Sequence, residues 1–253
     1  MGILNITCDS FSDGGLYNSS DKAIEHANQL IADGADILDI GAQSTAYGAK
    51  QISPEKEWAA IKPILNAIDP KLISIDTYNP ETAVHAIDAG VQIINDVKGG
   101  QTPKMLELIA ANPNVKYISM LSLCIPARKD MRVANFDEIM NMMHNNIKAL
   151  KAAGLREEQI ILDPGLSFIT DAELSFELIR RAEEFKEFGY PVLIGPSRKS
   201  FIATINDVEP QERDLETVMI SDTLADKSID ILRVHNVAWL RRAQNIKKML
   251  RNC

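Results

Sequence analysis

The sequence predicts a single α/β domain, a parallel (β/α)8 TIM barrel spanning residues 1–253. Three observations predict it. A short apolar run, a polar or glycine-rich loop and a longer amphipathic stretch recur from end to end, and strands that alternate with helices join into a parallel sheet. The unit repeats eight times; right-handed crossovers in that number favour closure over an open doubly wound sheet, the structural alternative. The length of 253 residues is close to the roughly 250 that one such barrel uses.

The strands are read at GILNIT (2–7), DILDIG (36–41), LISIDT (72–77), QIINDV (92–97), VKYISM (115–120), IILDPG (160–165), VLIGPS (192–197) and ILRVHN (231–236). Each is short and rich in Ile, Leu or Val, as a strand covered on both faces should be. Helices are expected near 21–33, 54–67, 80–89, 103–111, 135–153, 171–188, 214–227 and 237–251. Ser53-Pro54-Glu55 and Asn79-Pro80-Glu81 each place a cap, a proline and an acid at a helix start. Gly34, Gly90, Gly154 and Gly189 stand where helices should stop. Segment 121–134, LSLCIPARKDMRVA, reads as a long loop. The methionines of 135–150 recur at helical spacing and read as a helix face, not a cofactor box. Arg180-Arg181 and Arg241-Arg242 read as solvated helix faces. His26, His85 and His144 fall on helices and are not taken as ligands.

Bulk properties exclude several classes. A net charge of −8 argues against broad binding to nucleic acid or anionic membranes, and leaves room for a local basic pocket. Cys8, Cys124 and Cys253 are odd in number and form no CxxC pair, so a reducing cytoplasm is expected rather than a disulfide framework. No apolar run approaches the roughly 18 residues of a membrane span. The start, MGILNIT, carries no basic n-region, and Ile6 stands where a myristoylation signal wants Ser or Thr. It opens at once on an apolar strand, as if a short leader were missing.

The informative feature is how the apolar runs end: Asn5 and Thr7, Asp39 and Gly41, Asp76-Thr77, Asn95-Asp96, Asp163-Pro164-Gly165, Ser197-Arg198-Lys199, and Arg233 with His235. In a barrel these ends meet at the face where active sites lie. Any one has a plain reading, such as a turn for Asp-Pro-Gly, and together they are also compatible with a salt-bridged rim. Their convergence points to a site. Asp76, Asn95 and Asp163 suit a flat heterocycle that offers N–H donors. Lys199, Arg233 and either Arg198 or His235, with a helix start after Lys199, suit anionic groups. Met120 and Phe168 could cover the faces of a ring.

Several segments together resemble the dihydropteroate synthases. GILNITCDSFSDGG resembles that family's first strand and loop, with Cys8 where proline is usual, and DILDIGAQST its second. SIDTYNPETA, IINDVKGG, ILDPG, GPSRKSFI and ILRVHNV match the third, fourth, sixth, seventh and eighth in order. The resemblance implies a transferase that joins p-aminobenzoate to 6-hydroxymethyl-7,8-dihydropterin diphosphate and releases diphosphate. It implies that Asp76, Asn95 and Asp163 hold the pterin edge, Lys199 its carbonyl side, and Met120 and Phe168 its ring. Asn5, Arg233 and His235 would hold the diphosphate, with Mg²⁺ near Asn5. Ser200 would receive the carboxylate of p-aminobenzoate, and Phe11, Ser12, Asp13, Ser44 and Thr45 would lie on two closing loops. A homodimer built from outer helices is also implied.

The sequence departs from the family where those loops work. STAYGA replaces STRPGA, so Ala46 stands for an arginine and Tyr47 for a proline. Leu121 stands for a histidine, Ser167 for a glycine and Thr170 for a lysine. Two other readings stay open at this point. One is a diverged, non-catalytic pterin-binding barrel. The other is a pterin-dependent methyltransferase, against which the SRKS and RVHNV pair argues, because methyl transfer has no diphosphate to hold. Cys8 is read as a small substitute for proline rather than a nucleophile.

Overall fold

The computed structural model describes residues 1–6, 16–43, 51–69, 71, 73–128 and 130–251. Strands and helices alternate: β1 (Gly2–Asn5), α1 (Leu16–Ala32), β2 (Leu38–Gly41), α2 (Pro54–Leu65), β3 (Ile73–Asp76), α3 (Pro80–Asp88), β4 (Ile93–Asp96), α4 (Pro103–Ala111). They continue with β5 (Lys116–Met120), α5 (Phe136–Ala152), β6 (Ile160–Asp163), α6 (Ala172–Arg180), β7 (Leu193–Ile194), α7 (Asp214–Asp226), β8 (Ile231–Leu232) and α8 (Val237–Arg251). Strands β1 to β6 pair in sequence order, and β7 pairs with β8, all parallel. Two single bridges close the circle, Leu162 to Val192 and Gly2 to Val234. Backbone bonds flank both closures: Leu162 N–H donates to Pro191 O (2.9 Å), Ile3 N–H to Val234 O and Val234 N–H to Met1 O (both 3.0 Å). The expected barrel is therefore the observed one.

The barrel interior is layered. Met1, Ile118, Ile161 and Leu193 are buried together, with Ile37, Ile93 and Ile231 packed against them. Alternate residues of a strand point to the same side, so the next inward positions of these strands are Ile3, Asp39, Asn95, Met120, Asp163, Gly195 and Arg233. An apolar plug thus lies directly beneath a polar floor. The larger cluster, between strands and helices, carries the stability of the fold.

Local departures have physical reasons. The strands are shorter than read, and β7 ends before Pro196, which has no N–H for a ladder. Ser53 and Asn79 occupy N-cap positions before a proline, but neither side chain caps; Asn79 Nδ2 instead donates to the buried Glu57 (2.7 Å). Asn135 and Asp171 do cap, accepting from Glu138 N–H and Leu174 N–H. The helix expected near 171–188 is two pieces: α6, then a 3-10 stretch Ala182–Phe188. The tighter winding stacks residues three apart, which buries both Ala182 and Phe185. At the break, Arg181 lies over the Phe136 ring (3.9 Å) and pairs with Glu177 and Glu184. Arg241 bonds Gly34 O (2.8 Å). Arg181 and Arg241 are thus engaged in holding the fold, a correction to their reading as solvated, while Arg180 and Arg242 are exposed as expected.

Gly34, Gly90, Gly154 and Gly189 all stop helical segments at positive φ. Gly99 and Gly165 matter more for the site. A Cβ on Gly99 would lie 2.0 Å from Met120 O, and one on Gly165 2.1 Å from Leu121 O. Those two glycines let the β4 and β6 loops close onto the end of β5. The described residues of segment 121–134 form neither strand nor helix, as expected. Among the described residues no helix is long and apolar enough to cross a membrane.

Candidate active site

At the strand C-terminal ends, one cavity is lined by Asp76 and Asn95, by Asp163 with Lys199, and by Arg233. Val97, Met120, Leu166 and Phe168 supply its apolar wall, and Gly195 its remaining edge. The register explains the meeting: Asp76 is paired with Asn95 across β3 and β4, and Met120 with Asp163 across β5 and β6. Gly41 gives Asp76 its room, since a Cβ there would stand 3.3 Å from Asp76 Cβ.

Hydrogen bonds order the floor. Arg233 Nε donates to Asp39 Oδ2 (2.5 Å), and its Nη2 donates to Asp76 Oδ2 (2.7 Å). Asn95 Nδ2 also donates to Asp39 Oδ2 (2.9 Å). Asp163 Oδ1 accepts from Gly165 N–H (2.8 Å). Lys199 Nζ sits 4.2 Å from the centre of the Phe168 ring. Met120 packs with Tyr78 and Val97, and Ile125 of the long loop and Phe168 cover them.

The electrostatics follow from burial. Asp76 is pushed up to about 7 by loss of water, against the pull of Arg233. Burial likewise lifts Asp163 to about 6, opposed by the Gly165 N–H and Lys199. Burial lowers Lys199 to about 8, helped by the Arg233 charge. Burial also works against the Arg233 charge, but Asp39 and Asp76 outweigh it, so the guanidinium stays ionised. Two carboxyls and one ammonium therefore titrate near neutrality in one cavity, a pattern associated with functional sites.

The rim at β7 and β8 differs from expectation. His235 is a neutral imidazole, not a cation: burial, with Arg198 and Arg233 nearby, lowers it to about 4. Its Nδ1 shares a hydrogen bond with Ser197 Oγ (2.9 Å). Arg198 is bound to Asp214 through Nε and Nη2 (2.7 and 2.9 Å) and is not among the residues of the cavity. The expected helix start after Lys199 is a five-residue 3-10 turn, Ser200–Thr204, too short for much of a dipole, with Ser200 exposed. Asn5 is exposed at the end of β1. Phe11, Ser12, Asp13, Ser44, Thr45, Ala46, Tyr47 and Cys8 lie outside the described residues.

The other departures are accommodated. Leu121 is buried in the core. Ser167 takes positive φ (66°), and its N–H donates to Thr170 Oγ1 (2.9 Å). Thr170 is buried and shares a second hydrogen bond with Ser175 Oγ (2.7 Å). A hydroxyl thus ties down the loop where the family pattern has a lysine. Sequence reasoning noted Asp39 as a strand end and left it out of the site; a charge at an inward position of an apolar strand was the available signal. Val97, Leu166 and Gly195 carried none.

The chain matches the family model described as "Pterin binding enzyme" over residues 1–235. It is 37% identical to dihydropteroate synthase of Bacillus subtilis, over 100% of this chain and 88% of that one. The chain belongs to the dihydropteroate synthases. It is therefore a transferase of the pterin-binding family. The synthase of Clostridium difficile, solved in the presence of pteroic acid, superposes with a TM-score of 0.87 at 35% identity, covering 99% of this chain and 95% of that one. That of Anaplasma phagocytophilum, with bound 6-hydroxymethylpterin-monophosphate, gives 0.85 at 36% identity, covering 98% and 97%.

Proposed function

We propose that this cavity binds the pterin of 6-hydroxymethyl-7,8-dihydropterin diphosphate and that p-aminobenzoate is joined to it there. The observation that carries the reading is the pair of buried carboxyls, Asp76 and Asp163, held above their ordinary range beside Asn95 and an apolar wall. A pterin edge offers the N–H donors these groups lack. Lys199 then serves the ring carbonyl, and Met120 and Phe168 its faces.

The reaction breaks the bond between the pterin methylene carbon and the diphosphate oxygen. A carbon–nitrogen bond to the arylamine forms, and the amine loses one proton. Positioning and charge stabilisation supply the rate. Arginine has five N–H donors; Arg233 uses two on Asp39 and Asp76, so it keeps others for the leaving group. His235, neutral in the unliganded protein, gains a proton more readily beside an anion. Asn5 completes that side. Ser200 and, from the loops, Phe11 and Thr45 are assigned to p-aminobenzoate.

Mg²⁺ fits the described residues as an ion carried with the diphosphate. Among the described residues no group of three or more His, Cys, Asp or Glu could hold a metal. Mg²⁺ usually keeps waters and substrate phosphate oxygens beside one or two protein ligands, and the exposed Asn5 amide can be one. Such an ion would neutralise charge on the departing diphosphate.

The chain acts as a homodimer in the cytoplasm. The cytoplasm is inferred from cysteine usage. The dimer is supported by exposed apolar residues on the outer helices: Leu215 and Met219 on α7 are 59% and 64% exposed, and Ile246 and Leu250 on α8 are 63% and 73% exposed. Sedimentation of a Leu215→Asp, Met219→Asp variant should yield monomer; an unchanged mass would remove this face as the interface.

Diphosphate release from the two substrates, followed with Mg²⁺ present, tests the synthase reading. Turnover supports it. Pterin binding without turnover, by folded protein, would instead favour the non-catalytic barrel that the altered loops suggest. The Ala46→Arg variant should then regain activity.

A further inference from the structure

We propose that Asp39 is the positioning residue of this site, fixing Asn95 and Arg233 from beneath and so deciding which end of the Asn95 amide a ligand meets. The proposal rests on the reading of the cavity as a pterin site. Asp39 is fully buried and does not line the cavity, so its effect on a ligand must pass through its partners.

One oxygen does the positioning. Asp39 Oδ2 accepts from Asn95 Nδ2 (2.9 Å) and from Arg233 Nε (2.5 Å). An ionised carboxylate can only accept. Asn95 must therefore turn its NH2 inward, which leaves its carbonyl oxygen for the cavity. Without such a partner, an asparagine amide can present either end. The guanidinium of Arg233 is a rigid planar fork. With Nε on Asp39 and Nη2 on Asp76, its plane is fixed and Nη1 remains unused by either carboxylate.

The other oxygen takes no part in that hold. Asp39 Oδ1 is buried with no hydrogen-bond partner among the described residues. Burying a charge is costly even when it is paired, and an apolar plug lies one layer below. The carboxylate makes sense as a group that orients an amide and a guanidinium together.

The test removes the acceptor and then returns it without the charge. Asp39→Leu is close in size and accepts nothing, so it releases both the Asn95 amide and the Arg233 Nε–H. Calorimetry with 6-hydroxymethylpterin should show affinity at least tenfold weaker, in protein that thermal melts show to be folded. Asp39→Asn keeps one carbonyl oxygen, which can take the place of Oδ2 and accept from both donors, with its NH2 on the side of the unpartnered Oδ1; it should recover much of that loss. A loss smaller than tenfold in Asp39→Leu, or an Asp39→Asn variant no better than Asp39→Leu, would overturn the proposal. Hydrogen exchange of the Asn95 side-chain NH2 gives a ligand-free reading that a merely structural role would not move: slow in the parent, fast in Asp39→Leu. If the parent binds no pterin, the functional reading fails, and this exchange rate still decides the role of Asp39, an unchanged rate refuting it.

Discussion

Arg198 and Lys199 are neighbours in sequence and opposites in the fold. Arg198 is paired within the fold: two of its donors grip Asp214, and Asn236 Nδ2 braces the same carboxylate (3.0 Å). The Asp214 hydrogen bonds raise its pKa further above the ordinary range. Lys199 has no ion pair among the described residues; it lies over Phe168, and burial drags its pKa down to about 8. The same contrast separates the rim from the floor of the site. On the rim, charges are neutralised by partners of the fold itself. On the floor, Asp76, Asp163 and Lys199 are kept in water-poor surroundings with incomplete partners. A charge already satisfied is scaffolding, whereas one left wanting partners is held for a ligand.

The sharpest way to break that contrast is to remove each cation in turn. Lys199→Met should lower kcat/KM for diphosphate release by roughly a hundredfold or more, the scale of one lost charge-stabilising donor. Its melting temperature should hold or rise, because an unpaired buried charge has gone. Arg198→Met should do the reverse. It should cost about 1–3 kcal/mol of stability, the scale of charged hydrogen bonds, with kcat/KM within about tenfold. Steady-state kinetics and thermal melts on the two variants read this directly. Equal effects on both would erase the distinction between floor and rim.

The floor should also reveal itself through pH. The folded pKa of Asp163, about 6, lies above its ordinary 3.8. Its contribution to stability is therefore fully present below pH 3.8 and lost as pH rises through about 6. The difference is on the order of 2–3 kcal/mol. His235 has the opposite sign, since its pKa is lowered from 6.5 to about 4, so stability lost at acid pH returns as pH rises through that window. Asp163→Asn should remove the first slope and leave the second. Denaturation at several pH values between 4 and 7 should then show the variant gaining on the parent as pH rises. A difference that does not vary with pH would mean Asp163 is paired better than its surroundings imply.

Much of this was legible in the sequence, for a definite reason. Strand ends in a barrel converge whatever their spacing along the chain, so Asp76, Asn95, Asp163, Lys199 and Arg233 could be brought together from pattern alone. What the pattern could not supply was pairing. Nothing near Arg198 announces that Asp214, on α7, will claim it, or that His235 will be buried among cations and left neutral. Asp39 was hidden by the alternation that made β2 recognisable: it shares the inward side with Ile37 and Gly41. The break at Arg181 was equally invisible, because a change from α to 3-10 winding depends on which side chains the core accepts.

The smallest expected effect concerns the loop after β6, which resembles the rim more than the floor. Ser167 stands in left-handed conformation, at φ 66°, and its N–H is tied to Thr170 Oγ1. That conformation costs a non-glycine residue roughly 1–2 kcal/mol. Glycine would relieve it but lose about 0.4–1 kcal/mol by loosening the unfolded chain. Ser167→Gly should thus stabilise the protein by no more than about 1.6 kcal/mol, with kcat/KM unchanged if the strain is local to the turn. Thr170→Val removes the acceptor and leaves the Ser167 N–H without it, at about 1–3 kcal/mol. The two sites share one hydrogen bond, so their effects should not add: once Thr170 no longer ties the turn, it can relax, and glycine should gain less. Urea denaturation of both single variants and the double measures the coupling. Strict additivity would mean that Thr170 does not hold Ser167 in its strained conformation.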